Sequence, residues 1–225
     1  MVAAQPFVAC SGLSIQAEIT LWGAGTSRTM RPVWLAEELG IRYQLKPIGP
    51  RTGETQTPEF KKLNPKQKIP LLVSGELRLS ESLAICRYLI TAFPGDVLYT
   101  PQSIDARAQE DEWCCYIYGE LDETSLYVMR RHGDLAHIYG DAPEVVRSAG
   151  AYAVRHLEVI AHRMGERPYV LAQGFGLADI MLMTCLDWAV AYQLMVPAGL
   201  MRYREGIAQR PAYLRAKAIN FAHPI

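Results

Sequence analysis

No stretch of this 225-residue chain approaches the roughly 18 consecutive apolar residues of a membrane-spanning helix, so a membrane span is excluded. Net charge is missing as well. Lys plus Arg and Asp plus Glu stand at 23 each, which leaves no overall field to gather nucleic acid or anionic lipid. The same balance gives little electrostatic protection against self-association. Cysteine is sparse: Cys10, Cys86, Cys114, Cys115 and Cys185 form an odd set with no CxxC and no metal-ligand spacing. Cys86, Cys114, Cys115 and Cys185 fall in helical patterns and are expected to be small buried thiols. The histidines offer no metal site: His132 and His137 are five apart and His156 and His162 six apart, spacings that do not stack two ligands on one helical face. Residues 1–17 carry neither a basic residue nor a sustained apolar core, so they do not read as a secretory signal. They are expected to be a disordered extension of a cytoplasmic protein.

What is present supports one large or two small domains, since 50% of the chain is hydrophobic. Glu18 to Trp22 reads as a short strand, Gly23-Ala24-Gly25 as a turn, and Thr26-Ser27 as the entry to a helix carrying Val33, Trp34, Leu35 and Leu39, with Gly40 as its stop. Tyr43 to Ile48 alternates like a strand, and Pro58 to Leu63 reads as a short helix. Leu71 to Val73 and Leu77 to Leu79 form a hairpin pattern around Ser74-Gly75-Glu76. Next comes a helix through Leu83, Ile85, Tyr88 and Leu89 that Ser80 is placed to cap. After Phe93-Pro94-Gly95 a turn-rich linker runs to about Ser103, and from Asp105 onward the pattern is helical.

Two short segments carry the chemistry. In Asn64-Pro65-Lys66-Gln67-Lys68-Ile69-Pro70-Leu71-Leu72, the proline biases Ile69 toward an extended backbone, and a cis Ile69–Pro70 bond would leave the Ile69 N–H and C=O turned outward for an extended ligand. Ten residues on, Ser80-Glu81-Ser82 puts a carboxylate and hydroxyls at the positive end of a helix, where a ligand carboxylate is attracted. The pair reads as a site for a small zwitterionic peptide. An ordinary strand followed by a capped helix fits the same residues.

With its strand-helix-strand-helix-strand-strand-helix order, Lys68-Ile69-Pro70 and Glu81-Ser82, the chain resembles the cytosolic glutathione S-transferases, with a tau-like wording of both motifs. The resemblance implies an α/β thioredoxin-like domain (βαβαββα) over residues 18–97, a linker over 98–104 and an all-α domain over 105–225. It also extends to Gly174-Phe175-Gly176-Leu177-Ala178-Asp179, which opens an apolar helix running from Met181 to Leu194. The family places a hydroxyl residue where Gly176 stands and an aspartate where Asp179 stands, so half of a capping box is kept.

The family's catalytic group follows the first strand and is Tyr, Ser or Cys by class. No Tyr or Cys occurs in this loop, and the family spacing lands on Thr26, with Ser27 beside it; Thr26 is the favoured residue. Such a hydroxyl would donate to the sulfur of glutathione, whose thiol near pKa 8.5 is only a few per cent thiolate at neutral pH. Arg28 would add to this or face solvent.

The resemblance further implies that Ile69, ahead of Pro70, pairs through its backbone with the cysteinyl part of glutathione. Glu81 and Ser82 would hold the γ-glutamyl end, and Lys68 the glycyl carboxylate. The family often has glycine where Gln67 stands. Trp113 and Tyr116, with Tyr118 and Tyr127 further on, are expected in an electrophile pocket between the domains, although aromatic residues at that spacing also fit a core. A homodimer is implied, with the Arg87 and Tyr88 region and the following helix as contacts. The implied activity is transfer of glutathione, as co-substrate, to a small electrophile, with no metal, nucleic acid or membrane involved. Two alternatives stay open: a non-catalytic glutathione-binding or scaffold protein, and a specialised glutathione-dependent lyase, isomerase or dehalogenase.

Overall fold

The computed structural model describes residues 18–222, so the disorder expected of residues 1–17, and Cys10 with it, lies outside the described residues. Four short strands, β1 (Ile19–Trp22), β2 (Tyr43–Lys46), β3 (Leu71–Ser74) and β4 (Leu77–Ser80), form one sheet in the order β2-β1-β3-β4. β1 and β2 run parallel, joined through helix α1 (Ser27–Leu39), while β3 lies antiparallel to both β1 and β4. Helix α2 (Pro58–Leu63) precedes β3, and α3 (Ser82–Ala92) closes the βαβαββα unit. This is the thioredoxin-like arrangement expected from the order of patterns.

The sequence places these elements for simple reasons. Ile19 and Leu21 point from β1 into the core while Thr20 and Trp22 alternate away from it. Helix α1 starts at a threonine cap, tolerates Pro32 in its second turn, and stops at Gly40, whose φ of 63° supplies the left-handed C-cap. Gly23 matters for the site. A Cβ there would lie 2.6 Å from Ile69 Cβ and 2.9 Å from Thr29 Cγ2, so only glycine lets the end of β1 approach the Ile69 loop this closely.

The remaining chain is helical: α4 (Ile104–Tyr116), a π-helical segment (Ile117–Leu126), α5 (Tyr127–His132), α6 (Ala136–Tyr139), α7 (Pro143–Met164), α8 (Leu177–Ala191), α9 (Ala198–Ala208) and α10 (Pro211–Asn220). Helix α1 packs on α3, α8 and α10, so the first helix of the sheet domain is also the floor on which the helical domain sits. Trp34 is fully buried there, its ring 5.1 Å from that of Tyr213 and 5.7 Å from that of Phe175.

Asp179 does what a capping acid should. Its carboxylate accepts from the amide of Gly176 at 2.8 Å, the amide of Val170 at 2.8 Å and the Tyr203 hydroxyl at 2.8 Å. Burial pushes its pKa up to about 6. The missing hydroxyl at 176 also has a reason, since a Cβ at that position would sit 3.0 Å from the Tyr99 carbonyl oxygen.

Several expectations are corrected. Ser80 does not cap α3: it ends β4, and Glu81 takes the cap position without a side-chain hydrogen bond. The apolar helix ends at Ala191, three residues before Leu194, because Gln193 turns to a φ of 56°. Cys86, Cys114 and Cys185 are buried as expected, but Cys115 is exposed. Burial raises the Cys86 and Cys185 thiols to about 12, so neither is a nucleophile at neutral pH.

Candidate functional site

An open cavity of about 600 Å³ lies between the domains. The sheet domain supplies the first turn of α1 (Thr26, Ser27, Arg28), the Lys66–Pro70 loop and the Ser80–Ser82 corner. The helical domain supplies Tyr118, Glu123, Tyr127, Arg130, Tyr139 and Trp188. The motifs singled out in the sequence are therefore brought together with residues up to about 160 positions away in the chain.

The two hydroxyls at the head of α1 are not equivalent. Thr26 is the cap: its Oγ1 accepts from the Thr29 amide at 3.0 Å and lies 3.0 Å from Thr29 Oγ1, while Thr29 Oγ1 in turn accepts from the Thr26 amide. Both sides of the capping box are filled, which leaves the Thr26 hydroxyl fully engaged. Ser27, the first residue of the helix, has no side-chain hydrogen bond among the described residues and lines the cavity beside the unpaired amides of the first turn. Of the two candidates, Thr26 has protein partners for its hydroxyl and Ser27 has none among the described residues.

The loop is held from outside. Asn220 of α10 donates to the Thr26 carbonyl at 3.2 Å, accepts from Thr29 Oγ1 at 2.8 Å, and receives the Gly25 amide on its own carbonyl at 2.8 Å. Nothing in the sequence pattern pointed to Asn220, because the contact spans nearly the whole chain.

Across the cavity, the Ile69–Pro70 bond is cis. The Ile69 backbone makes no hydrogen bond among the described residues, and the loop before it is pinned by Asn64 Nδ2 donating to the Lys68 carbonyl at 2.8 Å. Gln67, where the family often has glycine, takes a φ of 55°, a left-handed conformation that glycine adopts without strain. Glu81 is also unusual, at φ 74° and ψ 117°. A side chain held there costs on the order of 1–3 kcal/mol and is a mark of a functional corner. Its carboxylate bonds Lys66 Nζ at 2.9 Å, a pair more than half exposed that contributes little to stability. Ser82 is buried, and its Oγ accepts from Arg31 at 3.2 Å. Lys68 lines the cavity without an ion pair among the described residues.

Arg28 neither faces solvent nor stands as a free charge. It donates to Asp122 at 3.0 and 2.6 Å and to Glu123, and lies 4.4 Å from the Tyr127 ring centre. Burial works against its charge, but the two carboxylates more than offset this and raise its pKa. Behind it, Arg31 is fully buried and bonds Asp122 at 2.5 Å, Thr184 at 2.9 Å and Cys185 Sγ at 3.4 Å. Burial alone would raise the Asp122 carboxyl, yet Arg31 and Arg28 hold it below the usual range.

Trp113 and Tyr116 do not reach the cavity. Tyr116 bonds His156 on α7 at 2.7 Å, and the Arg163 guanidinium of the same helix stacks 4.1 Å from Trp113. The sequence reading carried a regular helix through this stretch. A π segment with i to i+5 bonding interrupts it after Tyr116, and Tyr118 and Tyr127, expected beside Trp113 and Tyr116, do line the cavity, together with Glu123. Arg51, Arg130, Arg131, Tyr139 and Trp188 were not anticipated, since their chain positions carry no recognisable motif.

Residues 17–91 match the family described as the glutathione S-transferase N-terminal domain. The matched residues are those that build the sheet domain. The chain is 25% identical over 177 residues to a glutathione S-transferase theta-1 of Bos taurus, covering 77% of this chain and 70% of that protein. It is 28% identical over 153 residues to the glutathione S-transferase GstA of Escherichia coli O157:H7, covering 66% and 72%. The theta class glutathione S-transferase of the citrus canker pathogen Xanthomonas axonopodis pv. citri, solved with glutathione bound, superposes with a TM-score of 0.74 at 26% identity, covering 89% of this chain and 97% of that one. Human glutathione-S-transferase T1-1 in its apo form gives a TM-score of 0.78 at 20% identity over 92% of each chain, a likeness of fold alone. Among the described residues no cluster could hold a metal ion, and no helix is long and apolar enough to cross a membrane.

Proposed function

We propose that this protein is a glutathione transferase that ionises the thiol of glutathione with Ser27 and passes the sulfur to a small electrophile. The observation that carries the reading is the unengaged Ser27 hydroxyl at the head of α1, in one cavity with the open Ile69 backbone and the Glu81-Ser82 corner. The Ile69 N–H and C=O are free to pair with the cysteinyl residue as a short strand would. Glu81 exchanges its Lys66 partner for the γ-glutamyl ammonium, Ser82 and the amide end of α3 receive the γ-glutamyl carboxylate, and Lys68 receives the glycyl carboxylate. With the peptide so held, its sulfur lies at the amide end of α1. A hydroxyl donor and a positive helix terminus both favour the thiolate, and each unit of pKa depression corresponds to about 1.4 kcal/mol. The Ser27 oxygen stays a donor throughout, and the attacking atom is sulfur.

The test is a pH titration of the ultraviolet thiolate absorbance of glutathione on the protein, with Ser27→Ala and Thr26→Ala alongside. Wild type and Thr26→Ala should show a bound thiol well below the free value, and Ser27→Ala a thiol close to it. A normal thiol pKa on the wild-type protein would sink the catalytic reading and leave a glutathione-binding scaffold.

A further inference from the structure

The cavity is strongly cationic in a chain that has no net charge. Six basic side chains line it, Arg28, Arg51, Lys66, Lys68, Arg130 and Arg131, against the carboxylates of Glu81 and Glu123. Arg28 is spent on Asp122 and Glu123, and Lys66 on Glu81. On the placement given above, Lys68 is used by glutathione. That leaves Arg51, Arg130 and Arg131, none of which forms an ion pair among the described residues. Residues 1–17 cannot supply a side-chain carboxylate, because they contain no Asp or Glu.

Two of these arginines, Arg51 and Arg131, are organised around aromatic rings. The Arg51 guanidinium donates to the Tyr127 hydroxyl at 3.3 Å and the Tyr139 hydroxyl at 3.5 Å, and Arg131 stacks 4.7 Å from the Tyr139 ring centre. Tyr139 is thus held between two guanidiniums, and the Arg51 hydrogen bond draws its phenol below the ordinary tyrosine value. The Nε atoms of Arg51 and Arg130 are both buried with no hydrogen-bond partner. Buried donors of a charged group left unpaired are costly, and a neutral apolar ligand would leave them so. An anion in the cavity would offset the charge that these guanidiniums carry. Beside them Tyr118 and Trp188 offer flat apolar surface.

We propose that the electrophile taken by this site is an aromatic compound bearing a carboxylate, its ring on the Tyr118 and Trp188 side of the cavity and its carboxylate on Arg51, Arg130 and Arg131. The inference rests on the glutathione-transferase reading, which fixes where the sulfur lies and which cations glutathione uses. In such a reaction the thiolate sulfur bonds the electrophilic carbon, the bond from that carbon to its leaving group breaks, and the leaving group departs with the electron pair.

The experiment measures binding of two product conjugates by calorimetry, S-(4-carboxybenzyl)glutathione and the near-isosteric S-(4-methylbenzyl)glutathione, so that no turnover is needed. The wild-type protein should bind the carboxylated conjugate about tenfold more tightly, the scale of one charge-assisted contact. That preference should shrink in Arg51→Gln and in Arg131→Gln, and weaken as salt is raised. Equal affinities in the wild type would overturn the assignment of a carboxylated electrophile while leaving the glutathione site standing. Failure to bind either conjugate would overturn both. A preference unmoved by either substitution, in protein whose circular dichroism is unchanged, would place the anion elsewhere and overturn the assignment to these arginines.

Discussion

Arg31 and Asp122 are both fully enclosed, and their guanidinium and carboxylate meet at 2.5 Å across the boundary between the sheet domain and the helical domain. Such a pair is costly to half-remove. Asp122→Ala strands a buried cation and should lower unfolding stability by about 3–5 kcal/mol, whereas Arg31→Met combined with Asp122→Leu should recover most of that loss. Urea denaturation of both variants distinguishes the cases, and a double variant as unstable as the single one would refute the account. The double variant should also bind glutathione more weakly, because it removes the Arg31 bond to Ser82.

The two hydroxyls at the start of α1 should separate stability from chemistry. Thr26→Ala removes a filled cap and should cost about 1 kcal/mol. Ser27→Ala removes no protein hydrogen bond and should leave the melting temperature nearly unchanged while the thiol effect disappears. Thermal melts and the thiolate titration, run on the same samples, check both halves.

Asp179 sets a pH dependence of unusual sign. Its folded pKa of about 6 lies above the ordinary carboxylate value of 3.8, so between these limits the folded state holds a proton that the unfolded state has released. Its contribution is full below about pH 4 and is lost as the pH rises to about 6. Stability measured across that interval should fall with rising pH relative to an Asp179→Asn reference. A parallel course for the two proteins would show that the carboxyl titrates normally.

Restoring a hydroxyl at position 176 should not help. Serine is a far better cap than alanine in general, yet here its Cβ meets the Tyr99 carbonyl at 3.0 Å. Gly176→Ser should destabilise by about 1–3 kcal/mol through overpacking, and a gain in melting temperature would show that the Tyr99 segment yields easily.

Asn220 should matter to a site whose motifs lie far from it in sequence. Asn220→Ala leaves the Thr29 hydroxyl and the Thr26 carbonyl without their partner and should cost about 1–3 kcal/mol. It should also weaken glutathione binding, as read by quenching of tryptophan fluorescence.

Local features of the fold were legible in the sequence. The succession of strands and helices followed from patterns set off by Gly40 and the Ser74-Gly75-Glu76 turn, and Asp179 behaved as the retained half of a capping box because that motif is complete within a few residues. The Ile69–Pro70 and Glu81-Ser82 pieces of the cavity were visible for the same reason. What could not be read depends on three-dimensional choices. Whether Thr26 or Ser27 stays free is decided by hydrogen-bond saturation, which needs Thr29 and Asn220 in place. Of the aromatic residues expected in an electrophile pocket, Tyr118 and Tyr127 line the cavity, whereas Trp113 and Tyr116 are turned to His156 and Arg163 of α7, a packing choice that spacing alone does not show. Arg51, Arg130 and Arg131 read in sequence as ordinary surface cations, and only the fold collects them.

The hold of Asn220 on the first turn of α1 also orders events during synthesis. The two partners of the Thr29–Asn220 bond are 191 residues apart. At about 5–20 residues per second, roughly 10–40 s separate their appearance at the ribosome. The sheet domain is complete in sequence long before then, yet on the nascent chain its loop after β1 lacks the contacts that shape it. On the proposed function, thiol activation would be withheld until the final described helix has been made and docked, so that a partly translated chain would carry the fold of its first domain without the contacts that shape its site.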